Sequence, residues 1–345
     1  MSFMYSEISE VPRVLRSVEK VNDVTLGLIA SEVRKRGIDR VVFAGRGTSD
    51  HAGIYGQYLF QIICSMSAGL AASSVTTLYG AENCYRGCLV IALSQSGRAA
   101  DGIAVVKAAK KCGSVTVSVT NDSDSPLASE TDYCLVLNAG KEYSVAATKT
   151  FSSELSVIYL LAQRIAGNND KGALMPVADT VESMISSLQK PIKDLASRYA
   201  DSKGGFILSR GVLYPIALEF ALKIQETSYL RMKGSAVSDF YHGPVAMVSP
   251  DTDVIVLVPK GKTEKAVLEM ADYLIALGND PLIITDDPAI CDKYHNVFVV
   301  PGADDELLTP VIMASFVQLF ALFLCESRGG DPDSPRYLNK VTVTR

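Results

Sequence analysis

Paired cysteines, clustered histidines, long uninterrupted apolar runs and a surplus of basic charge are all missing from this chain, and each absence excludes something. Seven cysteines occur, Cys64, Cys84, Cys88, Cys112, Cys134, Cys291 and Cys325, yet no two form a C-x-x-C unit. An odd set embedded in mostly apolar segments reads as reduced core residues, not as a zinc site or a disulfide frame. The three histidines, His51, His242 and His295, are scattered, without an H-x-x-x-H pair or a carboxylate cluster, so no metal and no cofactor are expected. Apolar stretches stay below the roughly 20 residues of a membrane span, and the start MSFMYSEISEVPR lacks the basic-then-apolar design of a signal peptide. A cytoplasmic location and no membrane partner are the expectation. The net charge of −5 argues against a nucleic-acid partner. An anionic small substrate would have to be held by local cations and helix N-termini.

What is present is a chain of 345 residues, 48% hydrophobic and 21% charged, long enough for two domains with sizeable cores. From about Ser6 to Gly37 the pattern is helical and predicts two helices packed over the first domain. Apolar strands then alternate with turns and helices. Arg40 to Ala44 enters Gly45-Arg46-Gly47-Thr48-Ser49-Asp50, and Cys88 to Leu93 enters Ser94-Gln95-Ser96-Gly97. Val115 to Val119 and Tyr133 to Leu137 follow. This alternation predicts a parallel sheet covered on both faces.

The second half repeats the first. FILSRGVLYPIALEF matches VVFAGRGTSDHAGIY, and Gly47 and Gly211 lie 164 residues apart, as do Gly97 and Gly261. Thr120 and Thr285 are 165 apart and Gly140 and Gly302 are 162 apart. So steady a register predicts an α/β architecture of two tandem, doubly wound, flavodoxin-like parallel-sheet domains related by internal duplication, with an extended C-terminal tail. The expected divisions are N-terminal helices over 1–36, a first domain over 37–167, a second over 168–328 and the tail over 329–345.

Ligands of open parallel sheets gather beyond the carboxyl ends of the strands. Three such ends here carry glycine and small hydroxyl residues: Gly47-Thr48-Ser49, Ser94-Gln95-Ser96-Gly97 and Val145-Ala146-Ala147-Thr148. A turn of this composition opening a helix offers backbone N–H donors and the positive end of the helix dipole to a phosphate. In the second half, Ala217 to Val245 reads as a helix that breaks at Gly234 and runs to the turn His242-Gly243-Pro244. Lys223 and Glu226, three apart, share a helix face.

LEFALKIQETSYL followed by FYHGP resembles the second half of the sugar isomerase (SIS) domain pair found in glucosamine-6-phosphate synthase and in sugar-phosphate deaminases. SQSG resembles that family's phosphate-binding serine loop, AGKEYSVAATKTF its segment after the last strand of the first domain, and PRYLNKVTV its C-terminal segment. The resemblance runs from about Val41 to Lys340, and GRGTSDHAG is nearer the deaminase branch. It implies that Glu226 and His242, 16 apart, are proton shuttles. It also implies that Gly47, Thr48, Ser49, Ser94, Gln95 and Ser96 contact phosphate and sugar, that Val145 lines the pocket, and that Lys340 forms a Schiff base with a ketose or lies beside it. Departures from the synthase pattern fall at Arg98, Ala99, Ala147, Asp239 and Asn339.

The implied reaction is isomerisation with deamination of a 2-amino-2-deoxy sugar 6-phosphate, most simply glucosamine 6-phosphate going to fructose 6-phosphate and ammonia. His242 would open the ring, Glu226 would move a proton between C2 and C1, and Lys223 and Lys340 would balance enolate charge or hold the ketose carbonyl. With the repeat starting by about residue 40, no glutaminase is expected ahead of it, so release of ammonia or an amine is the expected direction. Two alternatives stay open: a deglycase acting on a 6-phosphofructosyl amino acid, and a sugar-phosphate sensor without turnover. A homodimer with shared active sites, the histidine loop of one subunit reaching its partner's pocket, is also implied.

Overall fold

The computed structural model describes residues 2–81, 85–169, 171–338 and 340. Among the described residues, ten strands form two five-stranded sheets. The first contains β1 (Arg40–Ala44), β2 (Ser67–Leu70), β3 (Cys88–Leu93), β4 (Val115–Thr120) and β5 (Tyr133–Val136) in the order β2-β1-β3-β4-β5. The second contains β6 (Gly204–Ser209), β7 (Arg231–Ala236), β8 (Asp253–Val258), β9 (Leu282–Thr285) and β10 (Val297–Val299) in the equivalent order β7-β6-β8-β9-β10. Every pairing is parallel. The duplicated, doubly wound architecture read from the sequence is the one observed.

Central strands such as CLVIAL and DVIVLV are apolar almost throughout because helices cover both faces of each sheet. The edge strands were not legible: SAGL is short and half-buried, and RMKGSA alternates polar with apolar. The helix expected to break at Gly234 ends earlier, at Tyr229, whose left-handed φ of 58° closes it. Gly234 instead sits inside β7, where a β-carbon would come within 2.7 Å of the Ala217 carbonyl and the Leu218 α-carbon on the helix Tyr214–Ser228.

The compact units do not follow chain order. One comprises Glu10 to Tyr143, Ala147 to Ala178 and the end of the chain from Leu338; the other comprises the segment ending at Ser9, Ser144 to Ala146, and Asp179 to Tyr337. The two N-terminal helices therefore part company, contrary to the expectation that both cover the first sheet. Val11–Arg36 packs along the helix Lys149–Ile165 in the unit of the first sheet, and its Asn22 side chain pairs with the β5 edge, donating to the Val136 carbonyl and accepting its N–H, both at 2.8 Å. Phe3–Ser9 packs against Thr309–Ser327 in the unit of the second sheet. Asp333 draws it there by accepting the N–H groups of Phe3 and Met4 at 2.6 and 2.9 Å. Thr309–Ser327 is long and apolar enough to cross a membrane, but it is the buried core helix of this unit.

Replacing Gly234 with alanine forces a methyl group into helix backbone that has no side chain to swing aside. The expected loss is about 1–3 kcal/mol, read as a lower urea midpoint at unchanged slope.

Candidate active site

In an open parallel sheet the crevice opens where the strand order reverses, here between β1 and β3. Two of the expected phosphate turns flank that point. The turn after β1 needs glycine twice: Gly47 adopts φ 55°, ψ −127°, and a β-carbon on Gly45 would lie 2.7 Å from the Ser49 backbone. The chain can then enter the helix Thr48–Cys64 with Thr48 and Ser49 in its first turn, the Ser49 hydroxyl donating to buried Glu154 at 2.8 Å. After β3, Gly97 at φ 62° packs so closely over Ser125 that an added β-carbon would overlap the Ser125 hydroxyl. The Gln95 carbonyl accepts from the Asn121 N–H and the Thr120 hydroxyl, and the Ser96 hydroxyl accepts the Arg98 N–H.

Neither Thr48–Cys64 nor Ala100–Lys111 has a side-chain cap, their N-cap residues being Gly47 and Ala99. Beside these uncapped ends Ser94 is 7% exposed, its N–H donating to the Val119 carbonyl at 3.1 Å. Arg98 stands at the lip of this turn, exposed, with only a 3.9 Å approach to Asp122.

The loop after β5 holds a group that the sequence did not single out. Glu142 is fully buried, and its Oε1 accepts the N–H groups of Thr148 and Thr150 at 3.0 and 3.1 Å and the Thr148 hydroxyl at 3.0 Å. Its Oε2 accepts the Thr150 hydroxyl at 2.9 Å and the Lys340 ammonium at 2.8 Å. Burial alone would raise this carboxyl's pKa, but the Lys340 charge and the converging donors hold it below the ordinary glutamate value. Lys340, a quarter exposed, is thereby fixed at the carboxyl end of the first sheet. Val145, expected to line the first domain's pocket, belongs to the other compact unit, where the neighbouring Ser144 N–H is held by Glu7.

In the second unit, Lys223 is completely buried on the helix Tyr214–Ser228 between two carboxylates. Its Nζ lies 2.5 Å from Glu226 and 3.3 Å from Glu219. Burial disfavours its charge, yet Glu219 and Glu226 together raise its pKa above the ordinary lysine value. The enclosed ammonium has no open face toward a ketose carbonyl, so its part here is to hold Glu226, which is 23% exposed. The spacing E-x-x-x-K-x-x-E was visible in the sequence; the burial that gives it meaning was not.

The expected shuttle partners do not meet at one end of this sheet. The helix returns antiparallel from β6 to the start of β7, and Gln225 pins its last turn to the Met232 carbonyl at 2.5 Å, so Glu226 lies at the amino end. His242 follows the short helix Val237–Phe240 beyond the carboxyl end of β7, exposed on a turn closed by Gly243 at φ 136° and Pro244. Six residues of strand, about 20 Å, lie between those ends. Among the described residues, no three His, Cys, Asp or Glu side chains gather as a metal ion would require.

The SIS domain model matches residues 36–164 and 199–324. The chain is 32% identical over 352 residues to the isomerizing glutamine–fructose-6-phosphate aminotransferase of Thermococcus kodakarensis, covering 99% of this chain and 58% of that protein. It is 35% identical over 341 residues to the same-named protein of Methanosarcina mazei, covering 92% of this chain and 53% of that one. The chain thus spans a little over half the length of these curated relatives. Among solved structures, glucosamine-6-phosphate deaminase from Thermotoga maritima superposes with a TM-score of 0.76 at 22% identity, covering 99% of this chain and 100% of that one. The C-terminal domain of glucosamine-fructose-6-phosphate aminotransferase from Francisella tularensis gives 0.83 at 22%, covering 97% and 98%. At such identities the likeness shows the fold.

Two substitutions test the electrostatics. Lys223→Met leaves buried carboxylates uncompensated and is expected to cost about 3–5 kcal/mol in urea unfolding. The wild-type contribution is present below the unfolded lysine value of 10.5 and lost only as pH rises through the higher folded value, so the penalty stays flat across neutral pH. For Glu142→Gln the sign reverses. A lowered folded pKa contributes stability above the unfolded value of 4.5 that disappears as pH falls through the folded one. The stability gap between wild type and Glu142→Gln should therefore narrow below pH 4.5.

Proposed function

Because the chain belongs to the SIS domain family, we propose that it is a phosphosugar isomerase, and that its reaction is the conversion of glucosamine 6-phosphate to fructose 6-phosphate with release of ammonia. The observation that carries this reading is Glu226: a partly exposed carboxylate fixed by a fully buried ammonium can take and return a proton without moving. The phosphate would sit on the uncapped turns at Gly47–Ser49 and Ser94–Gly97.

His242 protonates the ring oxygen and releases the open-chain aldehyde. Glu226 takes the C2 proton, giving an enediol-like intermediate, and delivers a proton to C1, which becomes the hydroxymethyl end of a C2 imine. Water adds to that imine, the nitrogen leaves as ammonia, and the C2 ketone remains. Lys340, at the carboxyl end of the first sheet, sets a positive charge where negative charge develops. The deaminating direction draws support from the turn GRGTSDHAG, which is nearer the deaminase branch.

With Glu226 and His242 at opposite ends of their own sheet, the reading that fits both is a homodimer in which His242 serves the partner's site. Glu226→Gln should lower kcat by about 10²–10⁴-fold, followed as ammonia released from glucosamine 6-phosphate. Turnover of a 6-phosphofructosyl amino acid in place of glucosamine 6-phosphate would move the substrate assignment to a deglycase. Unfolding and refolding Glu226→Gln together with His242→Ala should restore roughly a quarter of wild-type activity, since half the dimers are mixed and each carries one intact site. No restoration means that each subunit completes its own.

A further inference from the structure

The Glu142 carboxylate divides its two oxygens between two tasks. Oε1 takes the backbone donors at the start of the helix Lys149–Ile165, whose N-cap Thr148 supplies no side-chain cap of its own. A seventeen-residue helix gains from a negative group there, and this task alone would make Glu142 a structural residue. Oε2 does something a cap does not require: it receives the ammonium of a residue 198 positions away in sequence, at 2.8 Å.

We propose that Glu142 is a positioning residue for Lys340, transmitting the fixed position of a helix start to a side chain that would otherwise sample many rotamers. A lysine carries four flexible methylenes, so its charge is useful to a reaction only where something rigid fixes its end. Glu142 is suited to this because three donors lock Oε1 and the Thr150 hydroxyl orients Oε2. The inference rests on the reading that Lys340 acts on the substrate, and the test separates the two.

Glu142→Gln, Lys340→Met and the double variant of the full chain are compared for kcat and KM in ammonia release from glucosamine 6-phosphate. Tryptic release of residues 341–345 is followed in wild type and Glu142→Gln by intact mass. Loss of one charge-assisted contact is expected to lower kcat about tenfold, to speed tryptic release by a similar factor and to leave KM within about threefold. The double variant should turn over no more slowly than Lys340→Met alone, because Glu142 acts through the lysine. Losses that multiply, or a Glu142→Gln protein cleaved and turning over as wild type, would overturn the proposal. Full activity in Lys340→Met removes the lysine's role and this inference with it; a slow Lys340→Met beside a normal Glu142→Gln removes the inference alone. Should Glu142→Gln fail to fold, Glu142→Asp keeps the charge and shortens its reach to Lys340: a lowered kcat with faster tryptic release supports positioning, and wild-type values of both overturn it.

Discussion

A charge removed from water has to be answered by another charge, and that requirement shapes both halves of this protein. Lys223 has no solvent contact, so Glu219 and Glu226 must converge on it. Glu142 has none either, so the loop after β5, the start of the following helix and the tail lysine must converge on it. Neither arrangement is the cheapest way to fill a core, since apolar side chains of equal volume would pack there at no electrostatic cost. In each, the enclosed ion holds a partner that keeps some exposure: Glu226 in one unit and Lys340 in the other.

The two sheets supply what such side chains need, a rigid frame with predictable open ends. Parallel strands place their turns on one rim, and the serine and glycine turns follow β1 and β3, where the strand order reverses. Their helices begin at glycine and alanine, which bring no oxygen of their own to the first N–H groups.

Much of this was legible in the residues. Glycines at a steady separation marked the turns because glycine takes the positive φ of Gly47 and Gly97 without steric cost, and the repeat followed from them. The edge strands escaped notice because small and polar residues at a sheet margin carry no apolar run. The parting of the N-terminal helices escaped because the residue that captures the first of them, Asp333, lies near the other end of the chain. Glu142 reads as a solvated loop residue, and only its partners six, eight and 198 positions away show otherwise. The spacing of Glu226 and His242 was plain, but a spacing counts residues and not direction, and a returning helix followed by an outgoing strand sends the two to opposite ends.

The outer margin of β5 would ordinarily present open main-chain groups to any extended chain that drifted past. The Asn22 amide closes this margin at Val136 with a matched pair of contacts, copying in one side chain the bonds that a neighbouring strand would make. A stranger seeking to extend the ladder there finds its place already taken, so the copy of the sheet that carries the serine turns is guarded against edge-to-edge association at its far side.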